Sequence, residues 1–273
     1  GGWFIYKFTD NTFFPDYPHW GVWQNVLYAS TNDFNTAGTA YLGSSVWAID
    51  KAPMIAGNAS TQLQRFRLSF DCAPVNISGP AAPSAAGTIG HFMYLNDNNY
   101  NPSPGAADSI GMLRFDPDFV TPANTTLTFA QALVTAPYKT NVCGSRNCVT
   151  SLSGNGYDAV SDRVMNRVMY RNFGTHETMV LNYTVDANAG TANPPKAGIR
   201  WYELRKNGGP WSIHQQSTYA PDNNGRWMGS ININSKGQIG LGYNRSGSST
   251  YASVCYTGRN ATDALNTMTT AEI

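Results

Sequence analysis

The sequence predicts an all-β fold, a β-propeller of four-stranded antiparallel blades, on three observations. Charged residues are only 13% of the chain, while aromatics reach 12% and glycines number 26. Short segments of alternating apolar and polar residues are separated by Gly, Asn, Ser and Pro along the whole length. These segments fall into about four groups at a period of roughly 60 to 75 residues, as radially repeated sheets do. The chain reads as one propeller portion over residues 1–273, the C-terminal blades of a larger ring. Two packed β-sandwiches are the alternative.

The strands follow in order. Trp3 to Phe8 opens the chain and reads as a strand, which suggests a processed or truncated product. Tyr17 to Trp23 and Asn25 to Asn32 form a hairpin, with Ser45 to Asp50 and Gln62 to Phe70 completing the group. His91 to Leu95, Ser109 to Phe115 and Leu127 to Val134 make a looser second set, and Arg163 to Phe173, Glu177 to Val185, Ile199 to Leu204 and Trp211 to Gln216 a third. The clearest hairpin is the last: Arg226 to Asn234 alternates, Ser235-Lys236-Gly237 turns, and Gln238 to Tyr243 alternates again, followed by Tyr251 to Tyr256. The blade units span about 1–71, 88–140, 160–217 and 223–258, with long polar loops at 72–89 and 96–108 and a tail at 259–273.

With 18 basic and 17 acidic residues the net charge is +1, so no field exists to gather phosphate backbones, and nucleic-acid binding is not expected. No apolar run is long enough to span a bilayer. Cys143 and Cys148 bracket four residues and can close a small loop, leaving Cys72 and Cys255 as a second pair; three pairings are arithmetically open. Disulfides point to an extracellular location, secreted or at the cell surface. Asn58, Asn76, Asn124, Asn182, Asn244 and Asn260 each head an N-glycosylation triplet. Most lie in polar stretches; Asn182 interrupts a strand and must face outward if modified.

Candidate chemistry is sparse. His176-Glu177 sits at a turn between two strands, where a raised carboxylate pKa would allow acid–base work. A hydrogen-bonded pair fixing the turn is the plainer reading. Arg163, Arg167 and Arg171 recur at intervals of four, which in a strand places them on one face. They would clamp a carboxylate or sulfate, or bond to carbonyls of the next sheet. Trp201, Trp211, Trp227 and Tyr219 offer rings for sugar stacking, although large aromatics also fill cores. Asp222 is placed to anchor the turn before Arg226. Asp97 and Asp108, among asparagines, supply hard oxygens for calcium without the spacing of an EF-hand, and no cofactor fingerprint is present.

Several strings then resemble a known group. Phe14-Pro15-Asp16-Tyr17-Pro18, Gly21-Val22-Trp23, Asp50-Lys51-Ala52-Pro53-Met54-Ile55-Ala56-Gly57, Asp162-Arg163-Val164-Met165, Tyr170-Arg171-Asn172-Phe173, Gly198 to Glu203 and Tyr219 to Tyr243 are similar to segments of large secreted sialidase-type β-propellers of uncharacterised function. The resemblance implies that the chain corresponds to the C-terminal half of a propeller, with its own N-terminal segment supplied as a separate or processed chain. It also implies that Cys255 replaces an arginine of the group's final strand, which suggests a disulfide peculiar to this protein. The repeated Ser-x-Asp-x-Gly-x-Thr-Trp turns of true sialidases are missing.

The expectation is a secreted glycoprotein with a non-catalytic role, recognising glycans or extracellular proteins or forming part of a surface or matrix assembly. The alternative is a glycoside hydrolase or lyase of sialidase-like propeller type, with His176, Glu177 and Glu203 in catalysis and arginines opposite. It requires two carboxylates about 5 to 9.5 Å apart across an open cleft.

Overall fold

The computed structural model describes residues 2–84, 89–100, 106–142, 144, 147–188, 196–269 and 271–273. Parts of both long polar loops, residues 85–88 and 101–105, and Cys143 lie outside them. The described residues are all-β apart from two short helical turns, and none of these helices is long and apolar enough to cross a membrane.

The first sheet is an antiparallel meander of β1 (Phe14–Val22), β2 (Val26–Phe34), β3 (Tyr41–Asp50) and β4 (Leu63–Leu68). Between β3 and β4 runs the short helix α1 (Lys51–Ala56), capped by the Asp50 carboxylate, which accepts from the Ala52 N–H at 3.1 Å, and closed by Gly57 at φ 73°. Next come β5 (Ala73–Ile77), β6 (Gly90–Asn96), β7 (Ser109–Asp116) and β8 (Thr126–Val134), then a two-stranded pair, β9 (Asn147–Val149) with β10 (Tyr157–Asp158). β11 (Val168–Asn172), β12 (Glu177–Asp186), β13 (Ala197–Lys206) and β14 (Ser212–Tyr219) follow, and β15 (Gly225–Ile233), β16 (Ile239–Gly247) and β17 (Thr250–Arg259) end the chain as a three-stranded meander.

The expectation of four separate propeller blades is corrected here. β11 pairs in parallel with β5 through Val168–Val75, Met169–Asn76 and Tyr170–Ile77, fusing two meanders into one open, curled eight-stranded sheet in the order β14-β13-β12-β11-β5-β6-β7-β8. The four-strand rhythm of the sequence reflects consecutive hairpins, and local pairing alone does not say whether neighbouring hairpins stay apart or share a ladder. β5 itself lies inside the segment 72–89 that reads as loop. Its five residues, with Pro74 among them, carry too little alternation to stand out, yet Ala73 to Asn76 are buried. Trp3 to Phe8 also departs from expectation: it forms no strand, and Trp3 and Ile5 stand exposed.

The eight-stranded sheet is buried on both faces where β12 and β13 run. Met179, Leu181, Tyr183 and Val185 enter the main core with Tyr28, Phe92 and Phe115, while Val180, Ile199 and Trp201 enter a second core against Ile231, Leu241 and Tyr243 of the last sheet. All ten residues of β12 are buried, polar ones included. Asn182 is therefore 0% exposed, and its sequon faces the interior. Asn76 is buried too, whereas Asn58, Asn124 and Asn260 lie on the surface and Asn244 is half-buried.

The second disulfide is likewise corrected. Cys72 and Cys255 are free, buried thiols that belong to different hydrophobic clusters. Burial pushes the Cys72 thiol well above its usual range. Cys148 is disulfide-bonded.

Candidate functional site

β1 packs on β5, β5 pairs with β11 and β11 packs on β15, and chain segments along this row leave the regular ladder. In β1 the pairing with β2 slips between Asp16 and His19, bulging Tyr17 and Pro18 out of register. In β15 the pairing with β16 slips between Trp227 and Ser230, bulging Met228 and Gly229. Backbone strain collects in the same zone: Tyr17 (φ 50°), Val160 (φ 45°), Asn166 (φ 58°) and Met228 (φ 52°) are four of the five non-glycine residues with positive φ among the described residues. A β-branched residue such as Val160 is a steric outlier there. Such strain persists only where the surroundings hold it, and it gathers at functional sites.

Two glycines let these segments close up. A Cβ on Gly21 would lie 2.7 Å from the Val75 carbonyl oxygen, so only glycine admits the β1–β5 contact. A Cβ on Gly229 would fall 2.1 Å from Asn182 Oδ1. The Asn182 amide, with no partner for either polar atom, fills that space beneath β15.

Two cavities flank the β1 bulge, and Tyr17 lines both. The larger cleft, about 750 Å³, lies between β1, β3, residues 140–142 and 144, and the segment 158–163. Its walls carry Asp16, Asp71, Asp158 and Asp162 with Arg163, and the rings of Tyr17, Tyr41 and Tyr100. Tyr41 and Tyr100 are 48% and 67% exposed. Arg163 is held from two sides: it reaches Asp71 at 3.2 Å and Asp162 at 3.0 Å, and its guanidinium sits 5.7 Å from the Tyr17 ring centre. The Asn32 amide bridges Asp71 and Arg163, and the Ser44 hydroxyl donates to Asp71 at 2.8 Å. Burial alone would lower the Arg163 pKa, but bonds to Asp162 and the charge of Asp71 outweigh it and hold the guanidinium charged. Burial raises the Tyr41 and Tyr17 phenols, so both are protonated at neutral pH.

The smaller cavity, about 370 Å³, lies between β1, residues 165–167 and the β15 bulge, and includes His19, Trp20, Asn166, Arg167 and Ser230. His19 and residue 166 are tied through His19 Nδ1 and the Asn166 carbonyl, while Arg167 donates back to the Trp20 carbonyl at 3.4 Å and to Asn76 Oδ1 at 3.3 Å. Burial lowers the His19 pKa against that bond, with Arg163 adding to the shift.

The residues expected from sequence distribute differently. Arg163, Arg167 and Arg171 do not share a strand face, because the strand begins only at Val168. Each arginine lines a different cavity, Arg171 a third one beside Asn232 and Arg259. Arg171 is spent on the Ile233 carbonyl at 3.1 Å and the Ser78 hydroxyl at 3.0 Å. Trp201 and Trp227 are buried, Trp227 stacking on Tyr157 at 5.4 Å, so neither presents a face to ligand. His176 stacks on Phe173 at 5.0 Å beside the start of β12. Glu177 is buried and accepts from Ser84 N–H (3.0 Å), Ser84 hydroxyl (2.7 Å) and Tyr170 hydroxyl, and pairs with Lys206 at 3.0 Å. Burial pushes its pKa up, but these donors prevail and bring it down to about 2. Glu203 is equally enclosed, bonded to Arg205 at 2.6 Å and to Gln215.

Asp97 and Asp108 spend their carboxylates on backbone donors, Asp97 on Asn99 (2.8 Å) and Thr140 (2.6 Å), Asp108 on Asn98 (2.8 Å) and Tyr138 (2.8 Å). They pin the loop, and among the described residues no group of three or more metal-ligating side chains forms. Asp222 anchors its turn as expected, accepting from the Asn224 N–H at 2.8 Å and gripping the buried Arg226 at 2.8 and 3.0 Å.

Sequence reasoning missed Tyr17, His19, Tyr41 and Tyr100 as site residues. The two prolines flanking Asp16-Tyr17 within a strand pattern were the available signal, since proline inside a strand marks a bulge or an edge.

No family model matches the chain, and no curated protein matches it either. Solved structures that align with it include a complex of BT0996 and RGII (11% identity, 97% of this chain and 76% of that one, TM-score 0.45). A Dyadobacter fermentans protein of unknown function also aligns (12%, 94% and 68%, TM-score 0.44), as does a glycoside hydrolase (11%, 97% and 76%, TM-score 0.40).

Proposed function

We propose that the chain binds saccharide in the cleft between β1, β3 and the segment 158–163, in an extracellular setting. The observation that carries the reading is the pairing of exposed Tyr41 and Tyr100 rings with a wall of carboxylates in one cleft of ligand size. A sugar presents an apolar ring face and a rim of hydroxyls. Tyrosines supply area for the face, and Asp16 and Asp162 accept from the rim. The one cation among the described lining residues, Arg163, is already matched by Asp71 and Asp162, so this cleft suits the uncharged part of a glycan. The disulfide at Cys148 accords with an oxidising compartment.

The test is an oligosaccharide array followed by calorimetric titration of the best binder. Tyr41→Ala and Tyr100→Ala are each expected to weaken binding by about tenfold, roughly 1.4 kcal/mol. Affinity unchanged in both variants would remove the cleft from the account.

A further inference from the structure

Beside the saccharide cleft, three side chains of the smaller cavity keep reactive atoms unpartnered. His19 bonds through Nδ1 to a carbonyl, which can only accept, so the neutral ring carries its hydrogen on Nδ1 and a lone pair on Nε2. Tyr17 meets the His19 ring edge-on at 4.6 Å, and its hydroxyl has no partner among the described residues. Among the described residues Arg167 bonds only through Nη1, leaving Nε and Nη2 as donors. His19 and Arg167 are fixed relative to one another because residues 19–20 and 166–167 exchange side-chain bonds across the gap, and Tyr17 is placed by its ring contact with His19. The bulges and positive φ angles at Tyr17, Asn166 and Met228 hold that arrangement.

We propose that this cavity catalyses β-elimination at a uronic acid residue of a polysaccharide, with His19 as general base, Tyr17 as general acid and Arg167 as counter-ion of the uronate carboxylate. The proposal rests on the saccharide reading of the neighbouring cleft and names the substrate class. His19 Nε2 takes the C5 proton, made acidic by the carboxylate that Arg167 neutralises. The C5–H electron pair becomes the C4=C5 double bond, the C4–O bond breaks, and the departing oxygen takes the Tyr17 hydroxyl proton. Solvent then carries the proton from the imidazolium back to the phenolate. No water is consumed and no electron acceptor is needed. Burial favours the starting states, a neutral imidazole and a protonated phenol. The charged and titratable groups around His19 are Arg163, Arg167, Asp71 and Tyr17, while β15 contributes Met228, Gly229 and Ser230, none of which titrates.

Incubation of the full chain with polygalacturonate, alginate and chondroitin tests the proposal, read by the ultraviolet absorbance of the new double bond and by a reducing-end assay. At least one polymer is expected to yield both signals. His19→Ala and Tyr17→Phe should each lower kcat about a hundredfold or more with unchanged thermal melting. Arg167→Met should act mainly on KM, and the wild-type rate should fall with pH below the ordinary histidine range. Reducing ends without absorbance would mean hydrolysis and overturn the proposal, as would full activity in His19→Ala. If no polymer gives absorbance while oligosaccharides still bind in a Tyr41-dependent way, elimination is refuted and the cleft reading stands; loss of both refutes both.

Discussion

Glu177 and Glu203 differ from Tyr17, His19 and Arg167 in one respect that decides their use: what their polar atoms touch. The two glutamates are buried and their oxygens meet Ser84, Tyr170, Lys206, Arg205 and Gln215. The other three line a cavity wall, Tyr17 on the β1 bulge, His19 next to it and Arg167 next to the strained Asn166, with donors or lone pairs left over among the described residues. A carboxylate already holding several hydrogen bonds in its ionised form is a poor acid or base, because giving up that form disrupts every bond. Such glutamates hold the sheet, and the incompletely partnered set is where a ligand can add bonds.

This contrast is breakable by measurement. Removing Glu177 should have the largest effect: Glu177→Ala leaves the buried Tyr170 hydroxyl without its acceptor and Lys206 without its partner, and should cost about 2 to 3 kcal/mol in chemical denaturation. A loss of under about 1 kcal/mol would mean that the pair is not structural. The second effect follows from pH. Glu177 titrates near 2 in the folded chain against 4.5 ordinarily, so its stabilisation is complete above pH 4.5 and is lost as pH falls toward 2. Stability should therefore drop over that window, and the drop should be shallower in Glu177→Gln. The smallest effect belongs to the strained wall. Val160→Gly should raise stability by up to about 1 kcal/mol, because glycine accepts φ 45° without strain, although its greater freedom in the unfolded chain offsets part of the gain.

The hairpins of the fold were legible in the sequence. Arg226 to Asn234, Gln238 to Tyr243 and Tyr251 to Tyr256 correspond to β15, β16 and β17, since alternation and a Ser-Lys-Gly turn are local signals. The join of β5 to β11 was not legible, because Val75 and Val168 are far apart in sequence and neither segment alternates. β12 was legible as a strand, Glu177 to Val185, but its burial on both faces erases the pattern that would separate inside from outside, so Asn182 could not be placed. The spacing of Arg163, Arg167 and Arg171 suggested one strand face, but only Arg171 is on a strand and each arginine meets a different cavity, because the strand begins at Val168. Trp201 and Trp227 illustrate the reverse error. An aromatic ring looks equally ready for a sugar or a core until its neighbours are known, and here the neighbours are Ile199, Val180 and Tyr157. Tyr17 and His19 escaped because positive φ and bulges arise from packing between distant strands, which leaves only Pro15 and Pro18 as local traces.

The most direct measurement is calorimetric titration of the best array oligosaccharide into the wild-type chain and into the Tyr41→Ala/Tyr100→Ala double variant, with melting curves to confirm intact folds. The account predicts saturable binding to the wild type and a loss of about a hundredfold in the double variant, two tenfold steps on separate walls of one cleft. Equal affinity in the two proteins would contradict it.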